Sequence, residues 1–153
     1  MSEITFFIEG IPQPWKETQF TKAGRAYSPA ANKRWKEAIL VQALLHKPPE
    51  PFDCPLRVDL HFCFPFPKSW PQWKVRWALE RIAVQQLVPY LAKDRDNLMK
   101  PVFDALEGTF WVNDNRVVTG DVTKCYAAVP GIEITIIPLW PLPKRKSDLK
   151  ERK

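Results

Sequence analysis

Between Leu56 and Phe64 the chain reads LRVDLHFCF, in which Leu56, Val58, Leu60, Phe62 and Phe64 alternate with Arg57, Asp59, His61 and Cys63. A strand sends successive side chains to opposite faces, so this period of two specifies a half-buried β-strand with one apolar and one more polar face. A helix does not fit, because its 3.6-residue repeat would scatter the five apolar side chains around the axis.

Upstream, EITFFIE (residues 3–9) is rich in β-branched and aromatic residues and stops at Gly10, which predicts another strand. The following IPQPWKETQFTKAGRAYSP predicts a loop or open hairpin that gathers Lys16, Lys22 and Arg25 around Trp15, Phe20 and Tyr27. Ser28 before Pro29 marks a helix start. Trp35, Ile39, Leu40 and Leu44 then recur at helical spacing as far as His46, ahead of Pro48 and Pro49. Ser69 introduces a second helix from Trp70 to Leu87, whose Trp70, Trp73 and Trp77 suit a core stripe better than a base-stacking platform. A third helix, from Asn97 to Glu107, sets Leu98, Val102 and Ala105 on one face and ends at Gly108. The segment TFWVNDNRVVTGDVTKCYAAVPGIEITIIPLW then reads as strand, Asn/Asp turn, strand, Pro-Gly turn, strand. The element order is β-α-β-α-α-β-β-β. Without strict βα alternation it predicts a small single α+β domain, with about three helices on a mixed or antiparallel sheet.

Composition limits the chemistry available to such a domain. The 153 residues suit one domain, and 45% hydrophobic content with seven Trp and nine Phe excludes wholesale disorder. No run approaches the ~20 apolar residues of a membrane helix, and MSEITFFIEG carries acidic residues where a signal peptide carries basic ones. A soluble, cytoplasmic protein with no membrane partner is expected. Cys54, Cys63 and Cys125 lack C-x-x-C spacing, and the only histidines are His46 and His61, so there is no zinc or disulfide signature. His61 reads as a partly buried strand side chain. An enzyme made from this chain must rely on carboxylates. Of the net charge of +6, residues 144–153 (KRKSDLKERK), with six basic and two acidic groups, hold +4. The body is therefore nearly neutral; residues 1–140 are expected to form the domain and 141–153 a basic, flexible tail.

The carboxylates that could carry chemistry are Asp94 and Asp96 in the run Asp94-Arg95-Asp96-Asn97, together with Asp114, eighteen positions after Asp96. Lys100 lies between them. Mg²⁺ and Mn²⁺ are hard cations that take oxygen ligands and keep several waters, so two or three aspartates form a suitable set. Such an ion polarises a phosphoryl oxygen and activates water. A helix of roughly 16 Å followed by seven residues that can extend about 23 Å lets Asp114 return beside Asp94 and Asp96. Pro101 would cost a helix begun at Asp96 a backbone bond and a ring clash. Asp94 and Asp96 are therefore expected in the turn before the helix, Lys100 in its first turn and Asn97 as its cap. The helix N-terminus there also favours a phosphate. By spacing alone, D-x-D fits helix capping as well as metal binding. A calcium EF-hand loop does not fit, since Met99 and Ala105 stand where Gly and Glu are required.

The segment DRDNLMKPVFDALEGTFWVNDNRVV resembles the D-x-D-N-L-x-K-x-x-x-D-A-L segment and following W-x-D-D-x-x-V turn of the RusA family of crossover-junction endodeoxyribonucleases. GIPQPWKETQFTKAGRAYSPAANKRW and FPFPKSW are similar to further segments of phage-type members. The resemblance spans most of residues 3–137 and leaves the tail outside. It implies that Asp94, Asp96 and Asp114 are the metal-binding triad and Lys100 the active-site lysine, with a small α+β fold acting as a homodimer. Asn113 stands where many members carry a first Asp, and Glu17 and Gln19 dilute the basic character around Lys16.

The function so implied is a Mg²⁺-dependent endonuclease, with Mn²⁺ as a substitute, that nicks four-way Holliday junctions or branched DNA in recombination and repair and needs no small-molecule cofactor. Lys16, Lys22, Arg25 and Lys124 would contact the DNA backbone, with strong salt dependence. The other reading is a DNA-binding accessory protein of the same fold that is catalytically weak or inactive, for which Asn113 is the hint.

Overall fold

A computed structural model of the protein describes residues 3–16, 19–27, 29–83, 94–140 and 145–151. Strand β1 (Ile4–Glu9) is followed by a short hairpin of β2 (Gln19–Phe20) and β3 (Ala26–Tyr27), then helix α1 (Ala30–Ala43), strand β4 (Leu56–Phe64), and helices α2 (Gln72–Ala83) and α3 (Arg95–Leu106). Strands β5 (Val117–Thr119), β6 (Val122–Tyr126) and β7 (Gly131–Pro138) complete the domain. The order fits the α+β expectation, and the five-stranded sheet is mixed. Among the described residues no helix is long and apolar enough to cross a membrane.

The alternating segment becomes the centre of the sheet. β7 pairs antiparallel with both β1 and β4, while β5 and β6 lie in parallel along the other edge of β4. Leu56, Val58, Leu60, Phe62 and Phe64 are buried, with Ile132, Ile134 and Ile136 of β7 and Phe6 and Ile8 of β1 beside them. Trp35, Ile39 and Ala43 of α1 and Leu98, Val102, Ala105 and Leu106 of α3 join the same apolar cluster. Gln42 ties α1 to β1: its amide accepts from Glu9 N–H at 2.8 Å and donates to Glu9 C=O at 2.9 Å. Both helices thus cover one face of the sheet, and Arg57, Asp59, His61 and Cys63 point to the other.

Several local expectations are corrected. Pro29 is the N-cap of α1 rather than its first helical residue, and Ser28 lies outside the described residues. Ala43, not Leu44, closes the buried stripe; Leu44 is exposed and belongs to a 3₁₀ turn ending at His46. Helix α2 begins at Gln72; its expected extension to Leu87 falls outside the described residues. Trp70 packs edge-on to Tyr126 at 4.9 Å. Trp73 and Trp77 are 69% and 37% exposed, so only the first of the three tryptophans joins the core.

The expected strand at Thr109–Val112 is instead a tight turn. Gly108 adopts φ +85°, and the N–H groups of Thr109 and Phe110 both donate to the Leu106 carbonyl, at 3.1 and 2.9 Å. Conversely, the single strand expected between the Asn/Asp turn and the Pro-Gly turn is broken in two. Gly120 sits at φ +152° against β4, where a Cβ would lie 1.7 Å from the Val58 carbonyl oxygen; this close approach separates β5 from β6. In the basic C-terminal segment, Lys146–Glu151 form a 3₁₀ helix.

Candidate active site

Helix α3 presents two stripes. Leu98, Pro101, Val102, Ala105 and Leu106 face the core. Asp96, Met99, Lys100, Phe103 and Asp104, at i, i+3, i+4, i+7 and i+8, line a cavity of about 280 Å³ that Asp114 closes from the other side. Asp96, Lys100 and Asp114 are therefore brought together. Asp94 is the N-cap of the same helix, exposed at its head and outside that lining, and its carboxylate makes no capping hydrogen bond.

The helix starts two residues earlier than Asn97, so Asp96 lies inside its first turn and Asp94, not Asn97, is the cap. Pro101 is accommodated within the helix because another segment takes the bond it cannot make. A residue at 101 would donate to the Asn97 carbonyl; here the Trp15 N–H donates to that carbonyl at 2.8 Å. The proline thus anchors the N-terminal loop on the helix. Trp15 then stacks beneath Lys100, whose Nζ lies 4.8 Å from its ring centroid. The buried Asn32 side chain clamps the next residue, accepting from Lys16 N–H at 3.0 Å and donating to Lys16 C=O at 2.8 Å.

Asp114 is held more firmly than the helical carboxylates. The turn after α3 buries Trp111 against Phe103, edge-on at 5.4 Å, and the Trp111 indole N–H donates to Asp114 Oδ1 at 2.7 Å. The Asp114 N–H donates to Glu107 Oε2 at 2.8 Å. Asn113 caps the short 3₁₀ turn Asp114–Arg116, its Oδ1 accepting from Asn115 N–H at 2.9 Å. A side-chain oxygen is all this turn requires, so asparagine serves as well as aspartate in that role. Burial pushes the Asp114 carboxyl above the ordinary carboxylate range; the indole hydrogen bond opposes this, and the nearby negative Glu107 and Asp104 add to it. Asp104 is itself paired with Lys36 Nζ at 2.8 Å.

The carboxylates of the cavity, Asp96, Asp104 and Asp114, offer oxygen donors only. A hard divalent cation suits such donors, and Asp96 and Asp114 could hold it, whereas Asp94 lies outside the lining. Trp15, Trp111 and Glu107 had no signal of their own in the sequence as functional residues; the positions of Trp111 and Glu107 inside the long motif were the available clue.

None of the four expected DNA-contacting residues lines this cavity. Lys16 follows Trp15, while Lys22 and Arg25 sit in the exposed turn of the β2–β3 hairpin, which is closed by Thr21 N–H to Arg25 C=O at 2.8 Å. Lys124, half-buried on β6, is in register with Phe62 on the helix-bearing face. The start of β6 meets α3 directly, Arg95 donating to the Val122 carbonyl at 3.2 Å.

Residues 9–137 match the family model described as Endodeoxyribonuclease RusA. An uncharacterized protein of Bacillus subtilis (strain 168), YqaN, is 32% identical over 108 residues, covering 71% of this chain and 75% of the relative. The matched region runs from the end of β1 through β7 and includes every residue of the acidic cavity, and the chain belongs to the RusA family of endodeoxyribonucleases.

Proposed function

We propose that the protein is a Mg²⁺-dependent endonuclease that nicks four-way and other branched DNA junctions as a homodimer, in the cytoplasm of a bacterial or phage-infected cell. Membership of the family carries the coarser statement, a nuclease domain of the RusA endodeoxyribonuclease type. The observation that supports the finer reading is the common cavity of Asp96, Lys100 and Asp114.

A bound Mg²⁺ would lower the pKa of its water and offset charge on the scissile phosphate. The chain's own residues do the rest. Asp96 and Asp114 would hold the ion from two rigid elements, a helix turn and a capped 3₁₀ turn, with Asp94 at the helix head as the third carboxylate of the set. Trp111 holds Oδ1 of Asp114, which lines the cavity, and leaves the other oxygen for the ion. Lys100, lying over the Trp15 face, supplies a positive charge for the phosphoryl oxygens as negative charge builds on them. The N-terminus of α3 adds its own partial positive charge. Lys16, Lys22, Arg25 and Lys124 contact the phosphate backbone on either side, and a two-fold dimer would present two such sites to two related strands of a junction.

The test is incubation of the purified chain with a labelled four-way junction in Mg²⁺, with EDTA and an Asp96→Asn variant as controls. The expected outcome is metal-dependent nicking that the variant lacks while still binding the junction. Retained binding without any metal-dependent nicking by the unaltered protein would overturn the nuclease reading.

A further inference from the structure

The open face of the sheet carries a second group of metal-ligating atoms that the nuclease reading does not use. His61 and Cys63 are two apart on β4 and share a face; Cys125 on β6 is the register partner of Cys63, and Thr123 that of His61. One ligand atom from each of His61, Cys63 and Cys125 lies within 4.8 Å of the other two, and among the described residues this is the cluster of three that meets that spacing. We infer that His61, Cys63 and Cys125 form a binding site for a borderline-soft divalent transition-metal ion of the Zn²⁺ class, clipping edge strand β6 to the central strand.

Geometry and chemistry both support it. In tetrahedral coordination, Zn–S bonds of about 2.3 Å and Zn–N bonds of about 2.0–2.1 Å set S···N edges of about 3.6 Å and S···S edges of about 3.8 Å. Cys125 Sγ stands 3.2 Å from His61 Nε2, a few tenths of an ångström short of that S···N edge, and the Cys63 ligand atom lies within 4.8 Å of both. The other ring nitrogen is already engaged: His61 Nδ1 is hydrogen-bonded to Thr123 Oγ1. That is the outer-sphere bond that fixes the tautomer and aims Nε2 at a metal. Binding as thiolates would release the protons of Cys63 and Cys125 to solvent.

His61 lines a cavity of about 230 Å³ together with Thr123, Asp59, Asp121 and Glu133, while Cys63 and Cys125 are themselves buried. Glu133 is in register with His61 across β7, which leaves the fourth position to its carboxylate or to water. Thiolate and imidazole ligands favour Zn²⁺ over Mg²⁺, so this site and the acidic cavity select different ions. Only the parallel register of β4 and β6 brings Cys125 to residues 61 and 63, which is why the linear spacing showed no zinc signature.

The test uses the full chain, reduced and stripped of metal, titrated with Co²⁺ and then Zn²⁺. The expected result is one Co²⁺ per chain with a thiolate-to-cobalt absorption band that Zn²⁺ abolishes. The band should be lost in Cys125→Ser and in His61→Ala but retained in Asp96→Asn. Because either substitution could unfold β6, a second measurement stays with the unaltered protein: Zn²⁺ should slow alkylation of Cys63 and Cys125 relative to Cys54. Absence of the band, its survival in both variants, equal protection of all three thiols, or a Cys63–Cys125 disulfide forming in place of metal uptake would each overturn the inference.

Discussion

Trp111 touches no substrate in the proposed mechanism, yet replacing it should change the metal requirement of the enzyme. Trp111→Phe removes the donor that holds Asp114 Oδ1 at 2.7 Å while keeping a ring against Phe103. A hydrogen bond to a charged group contributes about 1.5–3 kcal/mol, and loss of an outer partner of a metal ligand typically costs about 10–100-fold in metal affinity. Both routes lead to the same expectation: the Mg²⁺ concentration for half-maximal junction cleavage rises about 10–100-fold, and activity returns as the ion is raised. The indole is fully buried, so truncation to phenylalanine also leaves a void and costs about 1–2 kcal/mol of stability. For a domain of this size that lowers the melting temperature by a few degrees, on the order of 2–8 °C. The assay is cleavage of a labelled junction across a Mg²⁺ series, with junction binding in EDTA and a melting curve measured alongside. An unchanged half-maximal Mg²⁺ in a folded variant would refute the positioning role. So would a uniform loss of rate at every Mg²⁺ concentration.

Glu107→Gln keeps an acceptor for the Asp114 N–H but removes a negative charge that raises the Asp114 carboxyl. Asp114 must be ionised to bind a cation, so its ionisation sets part of the acid limb of the pH–rate profile; the variant should move that limb to lower pH, and an upward shift would contradict the assignment. Pro101→Ala gives the Asn97 carbonyl a helical donor in competition with Trp15. Faster amide exchange at Trp15 and a weaker junction grip are expected, with little change in overall melting. Gly120→Ala would put a methyl group 1.7 Å from the Val58 carbonyl oxygen at a φ hostile to alanine; urea denaturation should show a loss upward of about 3 kcal/mol. Deleting residues 144–153 removes a net +4 and should weaken DNA affinity at low salt while leaving junction cutting intact.

What was legible in the sequence was what depends on near neighbours. The period of two in Leu56–Phe64 specifies a strand, and the Leu98, Val102, Ala105 spacing specifies a helix face, because both follow from side-chain direction alone. What was misread depends on distant partners. Pro101 argued for a later helix start, yet Trp15 offsets the lost bond from far up the chain. Trp73 and Trp77 have helical spacing, but spacing does not say whether anything packs against the stripe, and both are exposed. Thr109, Phe110 and Trp111 are good strand residues, overruled by a left-handed Gly108 and a shared Leu106 carbonyl. The candidate site followed the same division. Asp96, Lys100 and Asp114 were nameable from the motif; the groups that orient them, Trp15 and Trp111, needed the fold.

The site's precision follows from where its residues sit on α3. The helix commits Leu98, Pro101, Val102, Ala105 and Leu106 to the core, and the residues between them, Asp96, Met99, Lys100, Phe103 and Asp104, to the cavity. A 3.6-residue repeat couples the two sets rigidly: rotating the helix enough to move Asp96 or Lys100 out of line would draw Leu98 and Val102 into water. Exposing a buried Leu or Val side chain costs about 1.5–3 kcal/mol, so the apolar stripe resists such rotation more strongly than surface contacts could. The same logic explains the uneven firmness of the carboxylates. Asp96 needs no hydrogen-bonded brace because the core holds its helix, whereas Asp114, on a short turn without a buried stripe of its own, relies on Trp111, Glu107 and the Asn113 cap. Substitutions in the apolar stripe should therefore lower activity and stability together, while substitutions around Asp114 should separate the two.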